Sequence, residues 1–244
     1  MPELTHRAGK LNEFLRARIS PEHFVGLQLT AGLIALSVAL VLFGVIAVSV
    51  ATGNDLTQLD TRINVWLHVH NTKQFTHLFR LISKLHSNLV VAVVTLAISA
   101  YFWFKHLRYW FMMFMAAVFG GMLLNVVLKN LFVRPRPHFD DSIRVLTTFS
   151  FPSGHTMLAS VFYGALCAFA VSRLRGWMLR AAAILLAIFM IALVGFGRMY
   201  LGVHYLSDVM GAMAEGLAWL AVCFLTVGLI REQQAARKRT HFDR

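Results

Sequence analysis

The sequence predicts an all-α, polytopic membrane protein with six transmembrane helices and short amphipathic helices at the outer interface. Three observations carry that expectation. Hydrophobic residues make up 58% of the chain and charged residues only 14%, against about 25% charged in an ordinary soluble domain. The mean hydropathy is +0.65. The apolar residues also gather in runs close to the roughly 20 residues that a bilayer core demands. At 244 residues the chain suits one domain.

Residues 1–24 form an N-terminal arm. It is too polar for a cleavable signal peptide, and the apolar run after it is too long for a signal-peptide core. Between Glu3 and Arg18 apolar and basic positions mix, as in either an interfacial helix or a solvated basic arm. The membrane domain spans 25–230, with candidate spans at 25–51, 88–104, 109–128, 156–172, 181–197 and 207–230. Lys105-His106-Leu107-Arg108 separates the second span from the third. Arg173-Leu174-Arg175-Gly176 separates the fourth from the fifth. The 52–87 segment is long for a loop. Within it Ile63, Trp66 and Leu67, then Phe75, Leu78, Phe79 and Ile82, recur at helical spacing and predict two short amphipathic helices. Residues 231–244 are a basic tail. Cys167 and Cys223 lie in apolar runs and read as small core residues, neither a disulfide framework nor a metal cluster.

The formal net charge is +12. A basic chain raises nucleic acid as a partner. Basic loops that anchor spans explain the charge better, so no nucleic acid is expected; the partners are the bilayer and its lipids. Six spans put both termini on one side, and that side carries fourteen of the 23 Lys and Arg residues. The excess predicts cytoplasmic termini. In a bacterial host this is the plasma (inner) membrane.

Three polar clusters then fall together on the opposite, extracytoplasmic face. The first runs from Lys129 to Pro137, the second from Phe151 to His155, and the third from Gly197 to Asp208. Ionisable groups beside membrane spans are costly unless they do something. In the third cluster His204 and Asp208 are four apart, on one face of a helix. The carboxylate can accept one imidazole N–H, fix the tautomer and free the other nitrogen for attack. Arg198 adds a fork suited to phosphate oxygens. In the second cluster Ser153 is a natural N-cap, Gly154 admits an anion close to the backbone, and His155 sits in the first helical turn. In the first cluster Pro135 and Pro137 stiffen the chain around Arg136, which with Lys129 makes a phosphate clamp. Taken singly, these also fit a local ion pair, a capping turn and snorkelling cations.

Taken together, Lys-x6-Arg-Pro, Pro-Ser-Gly-His and Arg-x5-His-x3-Asp resemble the signature of the type 2 phosphatidic acid phosphatase superfamily, which includes membrane lipid phosphatases and soluble vanadium haloperoxidases. The motifs cover residues 129–208, and the six-span layout extends the likeness over most of the chain. One departure is Gly197, where the family usually has a serine before the arginine. The resemblance implies a membrane lipid phosphatase with His204 as nucleophile forming a phosphohistidine, Asp208 orienting it, and His155 as the acid for the leaving lipid oxygen. It assigns Lys129, Arg136, Arg198, Ser153 and the Gly154 amide to the phosphoryl oxygens. Positioning and charge stabilisation would supply most of the rate.

No cofactor and no metal is expected. A two-metal site would use several carboxylates, and the loops around the clusters offer only Asp140, Asp141 and Asp208. His68, His70 and His77 fit no standard metal spacing and read as solvated or interfacial. Glu215, seven residues past Asp208, lies two turns deeper on the same helix face. It is either a hydrogen-bonding partner of a neighbouring helix, with Asn125 a candidate, or a protonated packing residue. Met122, Phe132, Phe151 and Tyr205 are candidate walls of a lateral opening to lipid. The candidate substrates are polyprenyl diphosphate, phosphatidylglycerol phosphate and phosphatidic acid, with polyprenyl diphosphate first in a bacterial host. The alternatives are a lipid phosphotransferase using the same phosphohistidine, and a transporter or channel. The last predicts polar residues spread through the spans, whereas here they gather at one end. Oligomeric state is not readable.

Overall fold

The structure, a computed structural model, describes residues 27–139 and 148–242. The expected N-terminal arm over 1–24 and the carboxylates Asp140 and Asp141 lie outside the described residues. Every regular element among those described is helical. In order they are α1 (Leu27–Thr52), α2 (Asp55–Val69), α3 (Lys73–Leu85), α4 (Asn88–Phe104) and α5 (Arg108–Met115). A π-helical turn (Ala116–Gly120) leads into α6 (Gly121–Phe132), followed by α7 (Gly154–Arg173), α8 (Trp177–Tyr200) and α9 (Leu206–Phe242).

Among the described residues five helices are long and apolar enough to cross a membrane: α1, the continuous α5–π–α6 rod, α7, α8 and α9. The expected second span, 88–104, is α4 alone. Its 17 residues rise about 25 Å, short of the roughly 30 Å hydrocarbon core. It becomes a sixth span only together with α3, from which it is bent by 47°. Ser87 caps the restart by accepting from the Val90 amide at 3.4 Å. The last helix runs unbroken to Phe242, past residue 230 where the basic tail was expected to begin.

Outward surfaces are apolar, as a bilayer requires: Val41, Phe104 and Leu185 are all exposed. The interior centres on Phe102, Met113, Phe114, Met157, Val161 and Leu220, from α4, α5, α7 and α9. Cys223 joins this core, and Cys167 is partly exposed. The π turn sits in the middle of it, where the Trp219 indole of α9 donates to the Ala116 carbonyl at 3.1 Å. A π turn disturbs the regular hydrogen-bond ladder, and in lipid such a carbonyl needs a partner from within the protein.

Lipid supplies little hydrophobic drive between helices, so close approach at small residues does much of the packing. Helix α9 lies against α1, α7 and α8. A Cβ on Gly216 would fall 2.5 Å from Ser160 Cβ on α7, and one on Gly195 of α8 would fall 2.7 Å from Val209 Cγ1.

Helices α2 and α3 are where amphipathic helices were expected, capped by Asn54 and Thr72. Their apolar stripes divide in two. Leu67 and Phe79 are buried against the spans, while Trp66, Phe75 and Leu78 are exposed.

Gly216→Ala should lower the thermal midpoint in detergent, because overpacking a close contact costs about 1–3 kcal/mol. Gly44→Ala, whose added Cβ meets nothing within 4 Å, should leave the midpoint unchanged or raise it slightly. Equal midpoints for the two variants would refute the tight α7–α9 contact.

Candidate active site

The three polar clusters converge where α6, α7, α8 and α9 present neighbouring ends. Lys129 lies in the last turn of α6, one turn after Asn125. The helix stops at Val133, whose φ of 48° is left-handed. The chain then runs extended through Pro135 and Pro137, and the returning Ser150 pins it. The Ser150 amide donates to the Arg134 carbonyl at 2.9 Å, and its hydroxyl donates to the Pro135 carbonyl at 3.0 Å.

Arg136 is held by carbonyls on both sides: Nε donates to Thr148 O at 2.7 Å, and Nη1 to Val203 O at 2.7 Å. The same Nη1 reaches His204 Nε2 at 3.1 Å. On the other side of the ring, His204 Nδ1 lies 3.3 Å from Asp208 Oδ2. Because a guanidinium only donates, Nε2 is the acceptor and Nδ1 carries the proton. Burial holds the His204 pKa well below its ordinary value, and Arg198, Arg136 and Lys129 push it further down. The imidazole is therefore neutral, with a lone pair on the nitrogen beside Arg136.

Lys129, Arg136, Gly154, His155, Arg198 and His204 line one cavity of about 310 Å³, at the small end for a ligand site. Lys129 Nζ donates to Phe149 O at 2.8 Å. Arg198 is buried and donates through Nη1 to the Ser83 hydroxyl of α3. Its Nε has no partner, so a buried charged donor is left for something that enters. His155 has the Ser83 backbone as a hydrogen-bond partner.

Ser153 does not line this cavity. It stands at the N-cap of α7 but makes no side-chain cap hydrogen bond. Its hydroxyl accepts from Thr156 at 3.0 Å, and its amide donates to the Asp208 carbonyl at 3.0 Å. It stitches α7 to α9 behind the site. Of the candidate wall residues only Met122 lines the cavity. Phe151 is buried against α1 with Phe132 packed beside it, and the Tyr205 ring carries the Arg134 guanidinium 4.2 Å from its centroid. Aromatic rings are taken up here in packing under the motifs, and aliphatic Met, Val and Leu side chains form the wall instead. Asn125 reaches Glu215 Oε2 through Nδ2 at 2.9 Å, so the deep acid is paired across helices. His68 stacks on Phe139 at 4.1 Å and His70 on Trp66 at 4.5 Å.

Sequence reasoning passed over Arg134, Asp60, Ser207 and Ser83. Arg134 Nη1 donates to Asp208 Oδ1 at 2.6 Å and to Ser207 Oγ at 2.7 Å. Its Nη2 donates to Asp60 Oδ2 at 2.8 Å. The signal for it was present: in an extended Arg-Pro-Arg-Pro run, residues two apart share a face, so Arg134 and Arg136 both reach the His204–Asp208 pair.

Comparison with known proteins identifies the family. The family model of the PAP2 superfamily matches residues 106–232. The chain belongs to the PAP2 superfamily. It is 39% identical over 116 residues to phosphatidylglycerophosphatase B of Bacillus subtilis (strain 168), covering 47% of this chain and 57% of that one. It is 36% identical over 131 residues to the lipid A 1-phosphatase of Rhizobium johnstonii, covering 48% and 49%. The chain thus spans about half the length of these curated relatives. Among solved structures it resembles the transmembrane PAP2-type phosphatidylglycerolphosphate phosphatase from Bacillus subtilis, with a TM-score of 0.70, 26% identity, and coverage of 81% of this chain and 96% of that one. Aquifex aeolicus LpxE shares the fold at a TM-score of 0.52 and 22% identity, over 68% and 94% of the two chains.

Ser83→Ala should lower kcat/KM by about tenfold or more, since hydrogen bonds to charged groups carry roughly 1.5–3 kcal/mol. Ser83→Thr should retain most activity. Unchanged kcat/KM in Ser83→Ala would show that Arg198 is held without this hydroxyl.

Proposed function

We propose that this chain is an integral membrane lipid phosphatase that works through a phosphohistidine. The observation that carries the reading is the His204 ring: Nδ1 faces Asp208, and Nε2 faces Arg136 in a cavity that Lys129 and Arg198 also line. The Nε2 lone pair attacks phosphorus and forms the N–P bond. The P–O bond to the lipid breaks, and the leaving oxygen takes a proton from His155. Asp208 stabilises the positive charge that the ring acquires. Water, deprotonated by His155, then attacks phosphorus, the N–P bond breaks, and phosphate leaves. Lys129, Arg136 and Arg198 hold the phosphoryl oxygens where charge builds up, with the Gly154 amide as a further donor.

Three cations already fill the role of charge stabilisation in this reading, so turnover needs no metal and no cofactor. Asp208 is committed to Arg134 and His204, and Glu215 to Asn125. The cavity continues into apolar side chains, Met122, Val126 and Leu158. Val126 is itself 55% exposed on the outer surface of α6. A lipid can therefore lie with its tail against α6 and its phosphate on His204, and the tail stays in the bilayer, where leaving would cost about 0.8 kcal/mol per CH₂. The excess of Lys and Arg on the side of the termini supports an extracytoplasmic site. Phosphatidylglycerol phosphate leads the substrate candidates because of the similarity to phosphatidylglycerophosphatase B. Polyprenyl diphosphate and phosphatidic acid are the others.

The test is phosphate release by the purified chain in detergent from a panel of these lipids. His204→Ala should lose several orders of magnitude in kcat, and near-normal turnover would overturn the mechanism. EDTA should leave the wild-type rate unchanged. Loss on chelation, restored by a divalent ion, would defeat metal independence. Transfer of phosphate to an added lipid alcohol instead of water would identify a phosphotransferase.

A further inference from the structure

We propose that Asp60 is a positioning residue for phosphoryl transfer, anchoring Arg134 and the start of α9 so that Asp208 stays directed at His204 and the Asp60–Arg134–Asp208 group keeps a net negative charge. The proposal rests on the reading of His204 as nucleophile. None of the three sequence motifs contains Asp60, which lies on α2 in the segment before the second span.

Asp60 is fully buried. Its Oδ2 accepts from Arg134 Nη2 at 2.8 Å and from the Ser207 hydroxyl, and its Oδ1 accepts from the Ser207 amide at 2.9 Å. Ser207 and Asp208 are in the first turn of α9. A carboxylate on a first-turn amide favours that helix end, so Asp60 fixes the start of the helix that carries Asp208. The guanidinium of Arg134 is bonded to a carboxylate on each side and stacked on Tyr205.

The charges explain why two carboxylates are present. Arg134 approaches Asp208 at 2.6 Å, closer than the 3.3 Å between Asp208 and His204 Nδ1. An arginine alone at that distance would cancel the charge that the His204 ring senses. Asp60, on the far side of the guanidinium, restores the group Asp60–Arg134–Asp208 to a net charge of −1. That residual charge matters because the other charged groups facing His204 are the cations Arg198, Arg136 and Lys129, with His155 close by. When Nε2 bonds to phosphorus the ring becomes cationic, and Asp208 is the carboxylate that meets it.

The experiment compares full-length wild type, Asp60→Asn, Asp60→Glu, Arg134→Gln, Asp60→Asn/Arg134→Gln and His204→Ala on a lipid phosphate that the wild type hydrolyses. Asp60→Asn should lower kcat by about 10- to 100-fold, as loss of a partner that orients a functional histidine does elsewhere. KM should stay nearly constant, and the acid limb of the pH profile should move to lower pH, because removing a negative charge makes the imidazole less basic. Asp60→Glu should keep most of the rate. The double variant restores the net charge of −1 and should be faster than Asp60→Asn. Isotope-labelled histidine read by nitrogen NMR gives a measure independent of turnover: Asp60→Asn should loosen the Nδ1–H tautomer preference of His204. Wild-type kcat with an unmoved acid limb in Asp60→Asn would overturn the proposal. So would a double variant slower than Asp60→Asn. If Asp60→Asn does not accumulate folded, the double variant decides, with turnover near that of Arg134→Gln or better expected and none refuting the idea. Failure of the wild type to release phosphate from any lipid would sink the functional reading instead, and the NMR comparison would still decide the role of Asp60.

Discussion

The arrangement depends on one buried carboxylate. Asp208 is fully enclosed, and a buried charge is tolerated only when it is paired and hydrogen-bonded. Its oxygens take Arg134 Nη1, the Tyr205 amide and His204 Nδ1. Meeting that demand draws in the extended 133–139 segment from one direction and the start of α9 from another. Asp60 of α2 closes the far side of Arg134. The Asp208 carbonyl meanwhile receives the Ser153 amide from the start of α7. A single acid thus locates two helix starts, one extended segment and the His204 ring.

The opposing element is the crowd of cations. Lys129, Arg136 and Arg198 share one small cavity, where low polarizability makes their mutual repulsion stronger than in water. The protein meets this with oxygen acceptors fixed before any ligand arrives: the Phe149 carbonyl serves both Lys129 and Arg136, and Thr148 and Val203 carbonyls hold the rest of Arg136. Arg198 Nε remains without a partner. In the proposed reading an anion entering the cavity relieves that repulsion and accepts from the Arg198 Nε together, which is the form that preorganised stabilisation of a phosphoryl group takes.

The spans were legible because 20-residue apolar runs have few alternative explanations, and residues in the motifs were legible because charge beside lipid demands a reason. What escaped is instructive. The length of α4 is misleading on its own, because its membrane crossing depends on the bent junction with α3, a tertiary feature. Ser153 carried a helix-capping pattern, yet its hydroxyl accepts from the Thr156 hydroxyl three residues on, which competes with the first-turn amides for the same oxygen. Asp60 and Ser83 sit in ordinary amphipathic helices, Asp60 74 and 147 residues from its partners Arg134 and Ser207, and Ser83 115 from Arg198; helical periodicity says which face they occupy but not what faces them. Arg134 was visible in the Arg-Pro-Arg-Pro spacing, had the extended geometry of that run been applied to both arginines.

The same long-range logic accounts for Gly197. A serine is usual at this place in the family, and its loss would leave the following arginine short of a hydroxyl. In this chain a Cβ at position 197 would stand 2.8 Å from Phe79 Cδ1, so glycine is what lets α3 seat against α8. Four residues beyond Phe79, on the same helix, Ser83 then meets Arg198. Seating α3 therefore removes the room for a local hydroxyl and supplies one from another helix. Phe79 also packs edge-on against Phe196 at 5.6 Å, so the aromatic contact and the arginine contact bracket Gly197 from both sides. The departure from the family pattern and the placement of α3 are two aspects of one packing solution, in which the position of Arg198 is secured by tertiary contact in place of its immediate sequence neighbour.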